Sequence, residues 1–300
     1  MDKDFDFVGV WHYFGEITLF MNTSIPIRTR HLFQELDELL ITKLKSLSPK
    51  QWSLPTLAGQ WTIKHITAHL LDGNLRAISM IRDGFFGENP GPLSSYQDLV
   101  RFLNRLNAEW VTATNRLSPQ VLIALLETSG KEYRTLINSL KPFEKALFSV
   151  AWAGEEESQN WFHIAREYTE KWHHTQQIFH AVDPEDRSLL SKRLYLPYLE
   201  TSLRALPYHY RSIESPKGTL VKITITGQFA HSWWIKRTES AWQLVPFSKL
   251  EPKAQLTIPD QIAWRIFTKG IPSARAEQSL EVNGNRELAL HFLKILAVMA

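Results

Sequence analysis

The stretch Trp161–His180, WFHIAREYTEKWHHTQQIFH, decides how this chain is interpreted. It holds Glu170 and His174 four residues apart, and on a helix that spacing places two side chains on one face, about one turn apart. A carboxylate and an imidazole arranged in this way can bind one divalent metal ion together. A third ligand has to come from elsewhere, and the best donor is His69 in Gln60–Leu71, QWTIKHITAHLL.

The same stretch also has an aromatic face. With about 100° of rotation per residue, one side of the helix carries Trp161, Ala165, Tyr168, Trp172 and Phe179. Glu170 and His174 fall on roughly the opposite side, where they would face water if only the aromatic side were buried. A metal site therefore requires both faces to be covered. We expect this helix to lie between the rest of a helical bundle and a second domain.

Other histidines compete for the same roles. His65 and His69 are also four residues apart, so a site that uses both is a rival. At the edge of an apolar helix stripe, a single histidine such as His69 is more often a hydrogen-bonded, partly buried residue than a ligand. Further imidazoles near the pair belong to His163, His173 and His180. Spacing alone does not choose among them.

The composition excludes several classes of function. The chain has 300 residues, 44% hydrophobic and 22% charged, which is typical of globular proteins and favours two domains. A net charge of +3 does not indicate a nucleic-acid or anionic-membrane partner, so we expect Trp233 and Trp234 in the core or an interface. The absence of cysteine excludes disulfides, thiolate ligands and a cysteine nucleophile, and it fits a reducing compartment.

The amino-terminal segment does not have the pattern of a secretory signal. Residues 1–20 mix acidic and aromatic side chains and lack a basic start and an uncharged apolar centre. No apolar run approaches the ~20 residues that span a bilayer, so we expect a cytoplasmic protein. A more ordinary sequence follows Met21, and we expect residues 1–20 to be a disordered tail or a wrongly assigned start. Measuring the intact mass of the natural protein tests whether the start is wrongly assigned. A mass that includes Asp2–Phe20 would contradict a wrongly assigned start.

Helical spacing of apolar residues dominates the first part of the chain. It predicts helices over Ile27–Leu47, Thr62–Arg82, Tyr96–Leu117, Ser118–Leu140 and Trp161–Ala181. Thr62 and Ser118 are suitable cap residues, and Pro119 suits the first turn of a helix. We therefore expect a tail over residues 1–26 and a bundle of long helices over residues 27–185.

The pattern changes after Asp183-Pro184. Arg187–Leu206 still reads as helical, and alternation with period two then predicts strands. The predicted strands are Leu220–Thr226, Ser232–Lys236, Trp242–Val245, Gln255–Ile258 and Ser279–Val282, and the predicted helices are Asp260–Thr268 and Glu287–Val298. Strands mixed with helices indicate a smaller α+β domain over residues 186–300.

Common nucleotide-binding and hydrolase motifs are absent from the sequence. Neither of the phosphate-binding glycine patterns, GxGxxG and GxxxxGK(S/T), occurs. The serine-hydrolase elbow GxSxG and the zinc-protease motif HExxH are missing as well. The candidate metal ligands are therefore the main chemical signal in the sequence.

Two segments carry a resemblance to a known family. QWTIKHITAHLLDGNLRAISMIRDG, residues 60–84, resembles the amino-terminal motif of the DinB-like, mycothiol-dependent maleylpyruvate isomerase family. REYTEKWHHTQQIFHAV, residues 166–182, resembles the second motif of that family. LTIPDQIAWRIFTKG (256–270) and SLEVNGNRELALHFLKILAVM (279–299) are similar to the α+β domain that follows the bundle in many members. The resemblance covers the chain from about Ile27 to its end.

The resemblance implies a specific set of ligands and a function. It implies that His69, close to Trp61, supplies the first metal ligand and that Glu170 and His174 supply the other two. It implies a DinB-like four-helix bundle followed by a smaller α+β domain. It also implies a metal-dependent isomerase or S-transferase that uses a low-molecular-weight thiol, with a divalent metal ion, zinc first of all, as cofactor. His65 stands where many members carry an acidic residue, so we expect different support around the metal.

The implied chemistry is that of a Lewis acid. Two imidazoles and a carboxylate leave coordination positions open on a zinc-like ion, and a thiol bound there becomes a nucleophile at neutral pH. Nickel, iron, cobalt or manganese also suits these donors. The sequence does not identify a catalytic residue in the second domain. Arg204, Arg265 and Arg275 are available there for an anionic substrate.

Three functions remain open at this point. The first is the thiol-dependent isomerase or transferase, and the second is a hydrolase that uses water on the same metal. The third is a metal-binding or sensing protein without catalysis. We expect a small-molecule substrate and neither nucleic acid nor membrane as a partner, and the sequence leaves the oligomeric state open.

Overall fold

The computed structural model describes residues 24–92 and 94–298 of the chain. Helices occupy residues 30 to 209, and a mixed five-stranded sheet with short helices follows. The predicted fold class is confirmed, whereas the domain boundary after residue 185 stays a prediction. The predicted tail or wrong start, residues 1–20, lies outside the described residues. Within the described ranges, no helix is long and apolar enough to cross a membrane.

Three of the long helices begin at a residue whose side chain caps the first turn. The side-chain hydroxyls of Thr62, Ser95 and Ser118 each accept a backbone N–H from the first turn that follows, which satisfies a donor that has no partner within the helix. The helices are α1 (Phe33–Ser46), α2 (Ile63–Ala77, extended by a π-helical turn at Ile78–Arg82), α3 (Tyr96–Thr114), α4 (Pro119–Ser139) and α5 (Asn160–Val182). Five of the predicted helices are thus present.

Four of these helices form a bundle. Helix α1 contacts α4 and α5, α2 contacts the same two helices, and α3 packs against α2. The buried positions recur every three or four residues, as amphipathic helices require: Leu36, Leu40 and Leu44 on α1, and Ile63, Ile66 and Leu70 on α2. Burial of these stripes places α2 beside α5, and so brings the two predicted metal motifs together.

The second part of the chain joins helices to a mixed sheet. It contains α6 (Lys192–Leu203), α7 (Leu206–His209), β1 (Leu220–Thr226), β2 (His231–Arg237), β3 (Trp242–Val245), β4 (Ala254–Pro259), α8 (Asp260–Phe267), α9 (Ser273–Glu277), β5 (Glu281–Gly284) and α10 (Arg286–Leu290). The strand order is β3-β2-β1-β4-β5, with β1 and β4 parallel and the other neighbours antiparallel. The buried face of the sheet shares one hydrophobic core with the bundle.

Helix α5 is covered on both faces, as the sequence predicts. Its aromatic face packs on the second part of the chain: the Trp172 ring stacks on Tyr195 at 4.8 Å and lies tilted by 33° against Tyr198 at 4.2 Å, both from α6. Trp264 of α8 meets Trp172 edge-on at 6.5 Å. The opposite face lies against α2, and His174 there is only 8% exposed. His174 is therefore held inside the molecule, whereas the Glu170 side chain remains 30% exposed and His69 is partly buried.

A buried carboxylate fixes the start of α8. Asp260 is 2% exposed and accepts the backbone N–H groups of Gln228 at 3.0 Å and Gln261 at 2.7 Å. Gly227 has a φ of 150°, and a Cβ there would lie 1.9 Å from an Asp260 oxygen, so only glycine fits. These contacts position Trp264 against Trp172.

Two predicted elements near the carboxyl end are wrong in their bounds. The strand predicted at Ser279–Val282 lies at Glu281–Gly284, because Asn283 and Gly284 pair with β4. The predicted helix Glu287–Val298 ends early, as α10 continues only into a 3-10 turn at His291–Lys294. Ile295 is extended, and the Ala297 N–H donates to the Phe267 carbonyl of α8 at 3.3 Å. Tertiary contacts override the local pattern in both places.

Replacing Trp172 with alanine should destabilise the whole molecule. The side chain is fully buried between α6 and α8, and loss of a buried tryptophan typically lowers the free energy of unfolding by about 3–5 kcal/mol. Urea denaturation followed by circular dichroism measures this. Phe247→Ala is the control, because Phe247 is 68% exposed and should change stability by less than about 0.5 kcal/mol. Equal effects of the two substitutions would contradict the central role of Trp172.

Candidate metal centre

The first turn of α2 engages one of the rival histidines. Thr62 and His65 form a capping box, in which the Thr62 hydroxyl accepts the His65 N–H at 3.4 Å and His65 Nδ1 accepts the Thr62 N–H at 3.3 Å. Histidine takes the place that Glu or Gln has in the usual box. One nitrogen of His65 is thus committed to the helix start, which gives this residue a structural role one turn before His69.

His69 lies on α2 against the ring of His174. The two ring centroids are 4.7 Å apart at 74°, and the Trp61 ring lies 4.9 Å from His69. Nδ1 of His69 is buried and has no hydrogen-bond partner in the part of the chain that the structure describes. Burial, and secondarily His174 and Arg76, holds the pKa of His69 well below its usual value. His69 is therefore neutral at neutral pH, the form that binds metals.

Helix α5 supplies a compact group of ligand atoms, which we term the α5 donor cluster: Glu170, His173 and His174. One ligand atom from each lies within 4.8 Å of the others. Oε2 of Glu170 is 3.8 Å from Nε2 of His174 and 3.9 Å from Nε2 of His173. The other carboxylate oxygen, Oε1, is buried and unpartnered among the described residues. The cluster is able to hold a divalent metal ion.

Neighbouring groups orient both imidazoles of the cluster. Nδ1 of His173 lies 2.9 Å from the Thr169 carbonyl, and Nδ1 of His174 lies 2.9 Å from Oε1 of Gln177. Because these oxygens only accept hydrogen bonds, each Nδ1 carries the proton and donates it. Each Nε2 then keeps its lone pair, and hydrogen bonds of this type are common around metal-binding histidines.

The cluster is electrostatically unfavourable without a cation. Burial lowers the pKa of His173 to about 4, and it holds the pKa of His174 well below the usual range. Burial, together with the nearby Glu167 carboxylate, raises the pKa of Glu170 to about 7, although Arg166 opposes this. Two neutral imidazoles therefore adjoin a carboxylate that is costly to ionise. A bound divalent ion would offset that cost, so the donors fit the group that the sequence implies.

The structure brings two of the three predicted ligands into one cluster and places the third beside it. Glu170 and His174 are in one cluster, as expected, and His69 contacts His174 through its ring. The ligand atoms of His69 are not within the 4.8 Å that joins the cluster, whose third member is His173. Ligation by His69 stays a prediction. His173 had a signal in the sequence, because Glu-x-x-His pairs on a helix also bind metals together.

The other candidates take part in packing. Nδ1 of His163 is 2.9 Å from an Arg166 nitrogen, and the His180 ring packs edge-on against Trp264. The Arg204 guanidinium lies 5.1 Å from the Trp161 ring centroid. For Arg265, which is half-buried, and Arg275, which is exposed, the role of anion anchor stays a prediction, as it does for Arg204.

The charge of the cluster affects two tyrosines from other helices. Burial and the negative charge of Glu170 raise the pKa of Tyr96 above its ordinary value. The pKa of Tyr198 on α6 is also raised, chiefly by burial and to a smaller extent by the charge of Glu170. Both phenols therefore keep their protons at neutral pH. Sequence spacing could not associate either residue with Glu170, because they come from other helices.

The helical part of the chain matches a known family. Residues 33–179 match the model of the family described as Mycothiol maleylpyruvate isomerase N-terminal domain. This chain carries a domain of that family. The match begins at α1 and ends within α5, so the mycothiol maleylpyruvate isomerase N-terminal domain includes His69 and the α5 donor cluster. The resemblance seen in the sequence is confirmed.

Two solved structures match part of this chain. They are crystal structures of the mycothiol-dependent maleylpyruvate isomerase and of a point mutant of it, with sequence identities of 13% and 12%. Each comparison covers 85% of this chain and 91% of the other, with TM-scores of 0.47 and 0.48. Comparison with curated proteins gives no match.

Replacing Glu170 with glutamine should stabilise the metal-free protein at alkaline pH. Because the folded-state pKa is raised to about 7, stability from this group is complete below about pH 4.3 and is lost as the pH rises through 7. In chelator-treated protein at pH 8, Glu170→Gln should therefore raise the free energy of unfolding by roughly 1–3 kcal/mol. Denaturation at pH 5 and pH 8 measures the difference, which should be small at pH 5.

Glu167 provides a matched control one turn away. Although burial opposes it, Arg166, His163 and a hydrogen bond from Tyr133 lower the pKa of Glu167. Its ionised form therefore stabilises the fold above the ordinary pKa, and Glu167→Gln should destabilise the protein at pH 8. The same sign for both substitutions would contradict the proposed electrostatics of the cluster.

Proposed function

We propose that this protein is a divalent-metal-dependent enzyme of the isomerase or S-transferase type that acts on a small molecule with a low-molecular-weight thiol. The observation that carries the proposal is the α5 donor cluster beside His69, inside a mycothiol maleylpyruvate isomerase N-terminal domain. Neutral imidazoles and a carboxylate suit zinc, which we expect as the metal. The family name makes mycothiol the first thiol to test.

The residues that would hold the ion are His69, Glu170 and His174. Gln177 fixes the ring of His174 through Nδ1, so that Nε2 faces the Glu170 carboxylate. When bound, the ion would lower the pKa of a coordinated thiol and polarise a substrate carbonyl. The chain has no cysteine, so the sulfur has to arrive with a separate thiol.

The residues around the cluster would control water and protons. The Trp61 ring lies 4.9 Å from the His69 ring and 6.5 Å from the His174 ring, where it would limit the access of water to the two imidazoles. Burial and the Glu170 carboxylate keep the pKa of Tyr96 above its ordinary value, so this phenol keeps its proton. We propose that the Tyr96 phenol donates a hydrogen bond to an anionic group of the substrate.

Metal content tests the site. We expect near-stoichiometric metal in the purified, untagged wild type, measured by elemental mass spectrometry, and strongly reduced metal in His69→Ala and His174→Ala. His163→Ala is the control, since His163 is equally buried on α5 but bonds to Arg166. Metal retained in His69→Ala would show that the ion is held without α2. Trace metal in every variant, even after incubation with zinc, would contradict the proposal.

Thiol dependence tests the reaction class. We expect turnover of electrophilic test substrates, such as unsaturated oxo acids, only when both zinc and mycothiol or another small thiol are present. Chelation should abolish the activity, and added zinc should restore it. Turnover in the absence of thiol would instead favour a hydrolase. No turnover by a fully loaded protein with a broad panel of thiols and substrates would favour metal binding without catalysis.

A further inference from the structure

His173 is the member of the α5 donor cluster that the three-residue ligand set does not include. It is 4% exposed, and its ring centroid lies 4.0 Å from that of His174. Its Nε2 is 3.9 Å from Oε2 of Glu170, almost the same separation as the 3.8 Å of His174. Two donors at about 2.1 Å from a tetrahedral ion lie about 3.4 Å apart. Small side-chain shifts would therefore allow both imidazoles to bind one ion with Glu170.

The orientation of His173 favours ligation over a purely structural role. Nδ1 donates to the Thr169 carbonyl one turn earlier on α5, which leaves Nε2 as the acceptor directed toward Glu170. A carbonyl partner on the far nitrogen is the usual arrangement for a metal-binding histidine. The sequence Glu170-Lys-Trp-His173-His174 combines i,i+3 and i,i+4 spacings, and both bring a histidine onto the face of Glu170.

We propose that His173 is a fourth protein ligand of the metal ion. In the resting protein, it occupies the coordination position that His69, Glu170 and His174 leave open. This inference rests on the proposed function and adds a form of regulation to it. An ion held by four protein groups in tetrahedral geometry is closed to small molecules. A thiol then binds by ligand exchange: the metal–nitrogen bond to His173 breaks, the metal–sulfur bond forms, and the thiol proton passes to the buffer.

Cobalt(II) provides a readout that does not depend on activity. The variant is His173→Asn, whose amide nitrogen can replace Nδ1 in the bond to Thr169 while no donor atom remains at the Nε2 position. Cobalt affinity, measured by competition with a chelator, should fall at least about tenfold. The visible spectrum should also change, because one nitrogen ligand is lost. The affinity of the cobalt protein for 2-mercaptoethanol, followed through the sulfur-to-cobalt charge-transfer band, should rise.

His163→Asn is the matched control, because His163 is as deeply buried on the same helix and its Nδ1 accepts from Arg166, a role that an amide oxygen can fill. It should leave metal affinity, spectrum and thiol affinity unchanged. Circular dichroism establishes that each variant is folded. If His173→Asn does not fold, His173→Gln replaces it, with the same changes expected in smaller measure.

The proposal predicts that the affinities for cobalt and for thiol change in opposite directions in His173→Asn, and this distinguishes it from the alternatives. Weaker cobalt binding together with tighter thiol binding supports the proposal. Loss of a purely structural histidine would not change the two affinities in opposite directions. An unchanged affinity and spectrum would overturn it and leave the three-ligand site intact. A fall in both affinities would overturn the exchange with thiol. Absence of cobalt binding by the wild type would overturn the proposed function as well.

Discussion

The structure depends on the burial of α5 from two sides. One face packs Trp172 between the aromatic rings of α6 and α8, and the opposite face holds Glu170 and His174 against α2. A helix with one buried face would expose either the rings or the donors. The sheet and its helices therefore contribute to the site without supplying a member of the α5 donor cluster, because they cover the aromatic face and fix the position of α5. Packing of α5 on α6 and α8 is in this way connected to the geometry of the candidate metal centre.

The same burial makes it unfavourable for the donor side chains to carry a charge. Burial keeps the imidazoles of His173 and His174 neutral, and burial together with the Glu167 carboxylate raises the pKa of Glu170 to about 7. Unpartnered buried atoms, Oε1 of Glu170 and Nδ1 of His69, add to the cost in the described structure. A fold selected only for stability would replace such groups with apolar residues. Their presence together on the contact between α2 and α5 is the physical argument for a ligand with positive charge.

Local signals explain which features could be predicted from the sequence. Apolar spacing located α1 to α5, and the hydroxyl caps Thr62 and Ser118 marked the starts of α2 and α4, because both signals act within a few residues. Glu170 and His174 could be paired because helical geometry is regular, and the family resemblance connected them to His69. The register of β5 and the end of α10 could not be predicted, because pairing with β4 and the contact with Phe267 decide them. The electrostatic effect of Glu170 on Tyr96 likewise depends on tertiary structure.

The choice between His69 and His173 has a chemical consequence. Three protein donors leave a tetrahedral ion open to a substrate or thiol, whereas four donors close it. His69 comes from a second helix, so its ligation would connect metal binding to the packing of α2 on α5. His173 is held by the backbone of α5 itself through Thr169, so its ligation would not depend on α2. A centre that uses both would bind its ion tightly in the resting state and would expose it only when one imidazole withdraws. His173 is the better suited to withdraw, because its departure would leave the link between the two helices intact.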